Sequence, residues 1–112
     1  MKMTKDKFNE MVHRFVWESL IPDAATLGEK CLLGGLERIG LLRIGPRNEA
    51  MLKTLGIMDA DGAVDVDLMK EGAYGAAEAA GGAIVIGDRP SIRLPRPALD
   101  RFFRFLETGT VE

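Results

Sequence analysis

The sequence predicts a single α+β domain of about five helices, with a small antiparallel β-hairpin or three-stranded sheet near the C-terminus. Three observations favour this class. The length of 112 residues suits one hydrophobic core. Apolar residues recur at helical spacing in segments that Gly and Pro separate. The stretch AIVIGDRPSIRLP, residues 83–95, has the composition of two short strands around a turn.

Composition and charge limit the functional classes. Fifteen basic and seventeen acidic residues give a formal charge of −2, which argues against a general polyanion-binding protein. Cys31 is the only cysteine, so an internal disulfide and a cysteine-based zinc site are excluded. No uninterrupted apolar run of a signal peptide or of a membrane span is found. We therefore expect a cytoplasmic protein without membrane contact.

The first helix is predicted over residues 5–20. Six apolar residues recur there at helical spacing: Phe8, Met11, Val12, Phe15, Val16 and Leu20. Thr4 is the expected N-cap and Pro22 the expected stop. Trp17 lies at the edge of the apolar stripe. His13 falls on the polar side, and without a second histidine or a further cysteine it has no partners for a metal site.

A second helix is predicted over residues 23–42, with Asp23 as its N-cap. Its apolar residues, Cys31 among them, cover well over half of the circumference, which is more than contact with one core requires. We therefore expect this helix to be central or to contact a second subunit. Leu33, which falls on the narrow charged stripe, and Trp17 are candidate interface residues.

Arg38 is the third interface candidate, because it falls among apolar residues of the second helix and not with the other charges. An unpaired guanidinium in such surroundings would cost several kcal/mol. We expect Arg38 to pair with an acid from another element or to reach out through a subunit interface. The alternative is that the helix ends or rotates before this residue.

Three further helices are predicted: residues 46–55 after Gly45, residues 67–80 after an aspartate cap, and residues 97–107. Gly56 is expected to end the first of these in the left-handed conformation, and Gly81-Gly82 the second. A short extended piece is expected around residues 64–66. The 67–80 helix consists largely of Gly and Ala, so we expect its small face to pack closely on the small face of the 23–42 helix.

The segment GIMDADGAVDVD, residues 56–67, resembles a degenerate EF-hand loop. With Gly62 as the sixth loop position, four other positions match the ligand and core pattern: Asp59, Asp61, Val64 and Asp65. Ile57 and Leu68 then occupy the first and twelfth positions, where the loop needs carboxylates. The resemblance implies weak calcium binding at the three aspartates. The alternative is a turn followed by a helix cap, Asp65 or Asp67.

A run of arginines characterises the C-terminal part. Arg89, Arg93 and Arg96 would follow a phosphate backbone if the hairpin were the wing of a winged-helix nucleic-acid binder. The preceding helix, GAYGAAEAA, offers no Arg, Lys, Asn or Gln to bases, which argues against this interpretation. The alternative is a solvated surface whose arginines pair with acids, within the chain or across a dimer.

The functional prediction is reached by exclusion. Ser19 and Ser91 lie outside the G-x-S-x-G context, and the glycines at 81, 82 and 87 do not open a helix after a strand. We predict a non-enzymatic interaction protein without a cofactor. It would self-associate through the first helix or the apolar face of the second. The alternatives are a weakly cation-responsive helix-loop-helix module and a winged-helix nucleic-acid binder.

Overall fold

The structure is a computed structural model that describes residues 1–38, 42–86 and 92–111. Its elements in chain order are β1 (Lys2–Thr4), α1 (Lys5–Phe15), a π-helical turn (Val16–Leu20), α2 (Ile21–Asp23), α3 (Leu27–Arg38), α4 (Pro46–Thr54), β2 (Ala63–Asp65), α5 (Val66–Ala79), β3 (Ala83–Ile86), β4 (Ile92–Pro95) and α6 (Arg96–Thr108). Since α1, the π-helical turn and α2 are continuous, the described residues form five helices. The predicted α+β class is confirmed.

The first helix begins as predicted but ends at Asp23 instead of Leu20. Thr4 Oγ accepts a hydrogen bond from Lys7 N at 3.1 Å, which confirms the N-cap. Pro22 does not end the helix, because it lies in the first turn of the segment that follows the π-helical turn. The continuous helix ends one residue after Pro22, at Asp23.

The second helix is shorter than predicted and begins at Leu27. Asp23 is not its cap, since that residue still belongs to α2. Instead Thr26 Oγ accepts from Glu29 N at 3.1 Å, while Glu29 Oε2 accepts from Ala25 N at 3.0 Å. This reciprocal arrangement is close to a capping box. Residues 39–41, which the prediction included, lie outside the described residues.

The strands form two separate antiparallel pairs. β1 pairs with β2, with Met3 opposite Val64, and β3 pairs with β4, with Ile84 opposite Leu94. The predicted hairpin is confirmed, but its turn at residues 87–91 lies outside the described residues. The extended piece at 64–66 pairs with the N-terminal strand and not with the hairpin, so no three-stranded sheet forms in the described part. A three-residue strand such as β1 has no distinct sequence signal.

The core lies where α1 meets α6. All five phenylalanines belong to it, and their rings meet at steep angles in four pairs: Phe8–Phe102 at 6.1 Å, Phe15–Phe102 at 5.1 Å, Phe15–Phe105 at 5.9 Å and Phe102–Phe103 at 5.3 Å between centroids. β2 and the start of α5 close this core with the buried Val64 and Val66. None of the described helices combines the length and the hydropathy needed to cross a membrane.

The predicted close packing of small residues between α3 and α5 is wrong. Among the described residues, nothing outside the helix backbone lies within 4 Å of where a Cβ on Gly35, Gly72 or Gly75 would stand. A Cβ on Gly34 would meet the indole ring of Trp17 at 3.4 Å. α3 rests on the π-helical turn and α2, whereas α5 packs on β3 and α6. Because α3 and α5 pack on different elements, their glycines do not come together.

Cys31 is exposed, although its place on the apolar arc predicted burial. The reason is that α3 lies at the edge of the molecule and buries one side only, through Leu33 and Leu36. Leu27, on the open side, is 76% exposed. Arg38 is the last described residue of α3 and is exposed, and its role in a subunit interface stays a prediction.

Candidate functional site

The aspartates of the EF-hand-like segment hold the backbone of their own loop. Asp59 Oδ1 accepts from Ala63 N at 2.9 Å and from Asp61 N at 3.0 Å. The Ala63 amide, more than any other group, keeps the pKa of Asp59 below its ordinary value. Asp65 Oδ1 accepts from Asp67 N and Leu68 N, which makes Asp65 the cap of α5.

The structure therefore does not bring Asp59, Asp61 and Asp65 together as cation ligands. In residues 1–38, 42–86 and 92–111, no group of three His, Cys, Asp or Glu side chains is arranged to hold a metal ion. The lone pairs of Asp59 and Asp65 that face the loop already accept backbone amides. The geometry favours the interpretation of a turn and a helix cap.

The arginines predicted to contact nucleic acid separate into different surroundings. Arg93 lies in a surface groove together with Arg101. Arg96 lies instead over the ring of Tyr74, with its guanidinium carbon 5.1 Å from the ring centroid. Arg89 lies outside the described residues. Arg93 and Arg96 thus have different neighbours, and the nucleic-acid interpretation stays a prediction.

Tyr74 joins α5 to α6. Its hydroxyl donates a hydrogen bond to Asp100 Oδ1. Burial, reinforced by the Asp100 carboxylate, raises the pKa of Tyr74 to about 12. The phenol therefore remains a neutral hydrogen-bond donor across the physiological pH range and is not activated as a nucleophile.

Trp17, a predicted interface residue, helps to hold α3 on the first helix. Its Nε1 donates to Glu37 Oε2 at 3.2 Å, and His13 Nδ1 lies 2.6 Å from Glu37 Oε1. Burial raises the pKa of Glu37, but the hydrogen bonds from His13 and Trp17 outweigh it and leave that pKa below its ordinary value. The Trp17 side chain remains 38% exposed. Leu33, the other apolar candidate, is buried within the chain against Leu20 and Ile21.

A half-open apolar cavity of about 190 Å³ lies against the core. It lies between the first helix, α5, the hairpin and α6. Among the described residues, every one that lines it is apolar: Phe8, Val12, Phe15, Val16, Leu20, Leu42, Met69, Ala73, Ile84, Leu94, Ala98, Leu99, Phe102 and Phe103. Large side chains surround the space on most sides, whereas Ala73 and Ala98 leave it unfilled.

A surface groove of about 480 Å³ adjoins the cavity. The two share the lining residues Leu20, Leu94 and Ala98. The groove lies between α2, the start of α3, β4 and α6. In the part of the chain that the structure describes, four charged residues line it: Asp23, Glu29, Arg93 and Arg101. An apolar interior and a charged surface thus meet at one place.

Sequence reasoning did not find this cavity. The apolar stripe of the first helix and the aromatic stripe of α6 were visible, but each of them predicts burial and not unfilled space. The available signal was the small residue Ala98 beside the bulky Leu99 and Phe102 on one predicted helix. A small residue at this place indicates unfilled space only when the elements that pack against α6 are known.

The fold and the site together define a small α+β protein whose main internal feature is an apolar cavity that adjoins a charged groove. No protein-family model, curated protein or solved structure matches this chain.

Proposed function

We propose that this chain is a non-enzymatic binding protein that holds an apolar small molecule in the cavity between the first helix, α5, α6 and the hairpin. The observation that supports the proposal is the lining, in which the side chains of all described residues are apolar. A polar molecule would lose its hydration there without gaining hydrogen-bond partners, whereas a hydrocarbon loses nothing of that kind. Ligand sites in proteins are typically concave and mainly apolar.

The size of the cavity adds to this proposal. An engineered apolar cavity of about 150 Å³ in another protein stays dry and binds benzene, and this one measures about 190 Å³. At about 24 cal/mol per Å³, an enclosed empty space of this size lowers stability by on the order of 5 kcal/mol relative to a filled core, which is an upper limit for this partly open cavity. A bound apolar molecule recovers part of that loss through dispersion contacts.

The π-helical turn also supports a binding role. π-Helical turns are rare and occur frequently at functional sites. Here Val16 and Leu20, the two ends of the turn, both line the cavity. The wider turn therefore shapes the wall of the proposed site.

Octanol, a neutral amphiphile of moderate solubility, is a suitable probe. We expect it to bind the wild-type chain, to raise the melting temperature and to shift the NMR signals of the Ala73 and Ala98 methyl groups. Ala73→Leu fills the cavity and should abolish binding. The matched control is Ala76→Leu on the exposed side of α5, which should bind octanol normally. Unchanged methyl signals at saturating octanol would contradict the proposal.

The second candidate function is the self-association predicted from the sequence, with the exposed side of α3 as the contact surface. Leu27 and Cys31, one turn apart, are both exposed. Gly35 lies open one turn further on, so a second copy of α3 would approach closely. A twelve-residue helix is about 18 Å long. Because stable interfaces bury roughly 800 Å² per partner, we expect a weak, concentration-dependent dimer.

Light scattering across a wide range of protein concentrations tests this second candidate. The mean molar mass should rise toward that of a dimer, and Leu27→Lys should suppress the rise. Leu55→Lys is the matched control, since Leu55 is 63% exposed but lies after α4. A monomer at every concentration would exclude self-association, and equal loss in both variants would exclude α3 as the surface.

A further inference from the structure

We infer that the ligand of the proposed cavity is an amphiphile with one anionic head group, which binds in the groove at Arg93 and Arg101 while its hydrocarbon chain enters the cavity. This inference rests on the proposed function and names the chemical class of the ligand. It depends on three features: the walls that cavity and groove share, the contacts of the two arginines, and the contacts of the two acids beside them.

The cavity and the groove lie side by side and share walls. Leu20, Leu94 and Ala98 line both the cavity and the groove. A purely apolar molecule would use the cavity alone and leave the adjoining groove to water. A molecule with an apolar chain and a polar end would use both, with the chain in the 190 Å³ space and the head in the groove. The two compartments therefore match the two parts of an amphiphile.

The arginines of the groove retain donors for an anion. In the described part of the chain, no acid lies within ion-pair distance of Arg93, whose side chain is exposed. Arg101 Nη2 lies 3.2 Å from Asp23 Oδ2, but its Nε is buried without a hydrogen-bond partner among the described residues. A guanidinium carries five donors that suit carboxylate and phosphate oxygens. The Asp23 contact leaves much of that capacity unused.

The two acids of the groove are already engaged. Asp23 pairs with Arg101, and Glu29 Oε2 accepts from Ala25 N at 3.0 Å as part of the α3 cap. Arg93 is therefore the charge that a head group meets without competition. An anion is attracted by Arg93, while Glu29 keeps its negative charge but has its carboxylate held at the α3 cap. The whole chain has a net charge of −2, so a preference for anions must come from this local arrangement.

Isothermal titration calorimetry with three eight-carbon probes, octanoate, octanol and octylamine, tests the inference at neutral pH and low salt, below micelle formation. Octanoate should bind roughly fivefold or more tightly than octanol, and octylamine should bind more weakly than octanol. The preference for octanoate should decrease with added salt, because exposed charges are screened.

Arg93→Gln, alone and combined with Arg101→Gln, should remove the preference for octanoate while leaving octanol binding unchanged. Both side chains are at least partly exposed, and Asp23 is 61% exposed, so the chain tolerates these changes. Arg38→Gln is the matched control: it removes the same charge from an exposed position outside the groove lining and should retain the preference.

The outcomes separate the two proposals. If octanol binds and octanoate binds no more tightly, or if the preference survives in the double variant, the inference on the head group is overturned and the apolar site stands. Tighter binding of octylamine than of octanoate also overturns it. If none of the three probes binds, the proposed function itself fails, and the head group fails with it.

Discussion

Individual polar side chains hold distant segments of this molecule together. Asn9 Oδ1 accepts from Ile44 N at 2.8 Å, and its Nδ2 donates to Ile44 O at 3.1 Å, which ties the chain before α4 to α1. Glu37 joins α3 to the first helix in a similar way, through His13 and Trp17. Helical periodicity placed His13 on the polar side of the first helix, but it did not distinguish a solvated polar residue from one that makes a tertiary hydrogen bond.

Tyr74 provides a direct residue-scale prediction, since it is the only tyrosine. Asp100→Asn should lower the pKa of Tyr74 from about 12 toward its ordinary value of 10 without reaching it, because burial is the larger cause and remains. Spectrophotometric titration of the phenolate measures this pKa. Glu107→Gln, an exposed change on α6, is the control and should leave it unchanged.

The raised pKa of Tyr74 determines how the free energy of unfolding changes with pH. The folded chain favours the neutral phenol, so its stabilisation is complete below pH 10 and is lost as the pH rises toward about 12. The free energy of unfolding should fall more steeply over this interval in the wild type than in Asp100→Asn. Equal slopes would mean that the Tyr74–Asp100 hydrogen bond does not contribute.

The pKa of Glu37 is lowered, so its contribution to the free energy of unfolding should be lost in acid and not in base. Its ionised form is favoured in the folded chain, so the stabilisation is present above about pH 4.5 and is lost as the pH falls through the lowered pKa. Glu37→Gln should reduce the free energy of unfolding by about 1 kcal/mol at pH 7. The difference from the wild type should shrink in acid.

Urea titrations between pH 3 and pH 7 measure this difference. Glu10→Gln is the control, since Glu10 is 61% exposed and lies 3.9 Å from Lys7. It should change stability little at any pH, as exposed ion pairs contribute little. A pH-independent difference for Glu37→Gln would show that the contribution does not depend on ionisation.

Among the helices and strands, the capping and turn signals that end a helix lie in the neighbouring sequence, whereas the packing partners of a helix do not. Thr4 and Asp65 cap α1 and α5 through side-chain oxygens, and the positive φ of Gly56 and Gly81 marks the chain reversals after α4 and α5. These signals act within a few residues, which is why the sequence predicted them. The partner of a helix face is chosen by residues far away in the chain.

A substitution at Gly75 tests whether α5 packs closely on α3. Among the described residues, nothing outside its own helix lies within 4 Å of the place that a Cβ at this position would occupy. Gly75→Ala should therefore stabilise the chain by up to about 1 kcal/mol through helix propensity. Thermal unfolding measures the change. If α3 and α5 pressed their backbones together here, the same substitution would destabilise the chain.

Gly34→Ala is the informative comparison for Gly75→Ala. The added methyl group would stand 3.4 Å from the Trp17 ring, so the gain in propensity is offset by a tight contact. We expect this variant to gain less stability than Gly75→Ala. An equal gain in both would mean that the Trp17 ring moves aside without loss.

In the molecule as a whole, an apolar space against the core stays unfilled. The arrangement of five helices and two strand pairs in the described part of the chain leaves this space. Enlarging a side chain in a tightly packed core lowers the free energy of unfolding by about 1 to 3 kcal/mol. A core with a cavity of about 190 Å³ accepts the larger side chain. The direction of the stability change therefore reports on the cavity without any ligand.

Ala73→Leu should accordingly raise the melting temperature in the absence of ligand, because the larger side chain gains contacts in existing space. Calorimetry measures the change. Ala77→Leu is the contrasting variant: Ala77 is 2% exposed and does not line the cavity, so enlargement there should lower the melting temperature. Destabilisation by both substitutions would indicate a filled core.

The sequence by itself determined the α+β class, the positions of the helices, several of their caps and the hairpin, because periodicity, capping and turn chemistry act over a few neighbouring residues. Only the tertiary structure decided that β1 pairs with β2, that α3 lies at the edge with Cys31 exposed, and that Arg93 and Arg101 share a groove beside an apolar cavity. These features join residues far apart in the chain, such as Met3 and Val64. An unfilled volume depends on the shapes of all the elements around it, and no single segment encodes it.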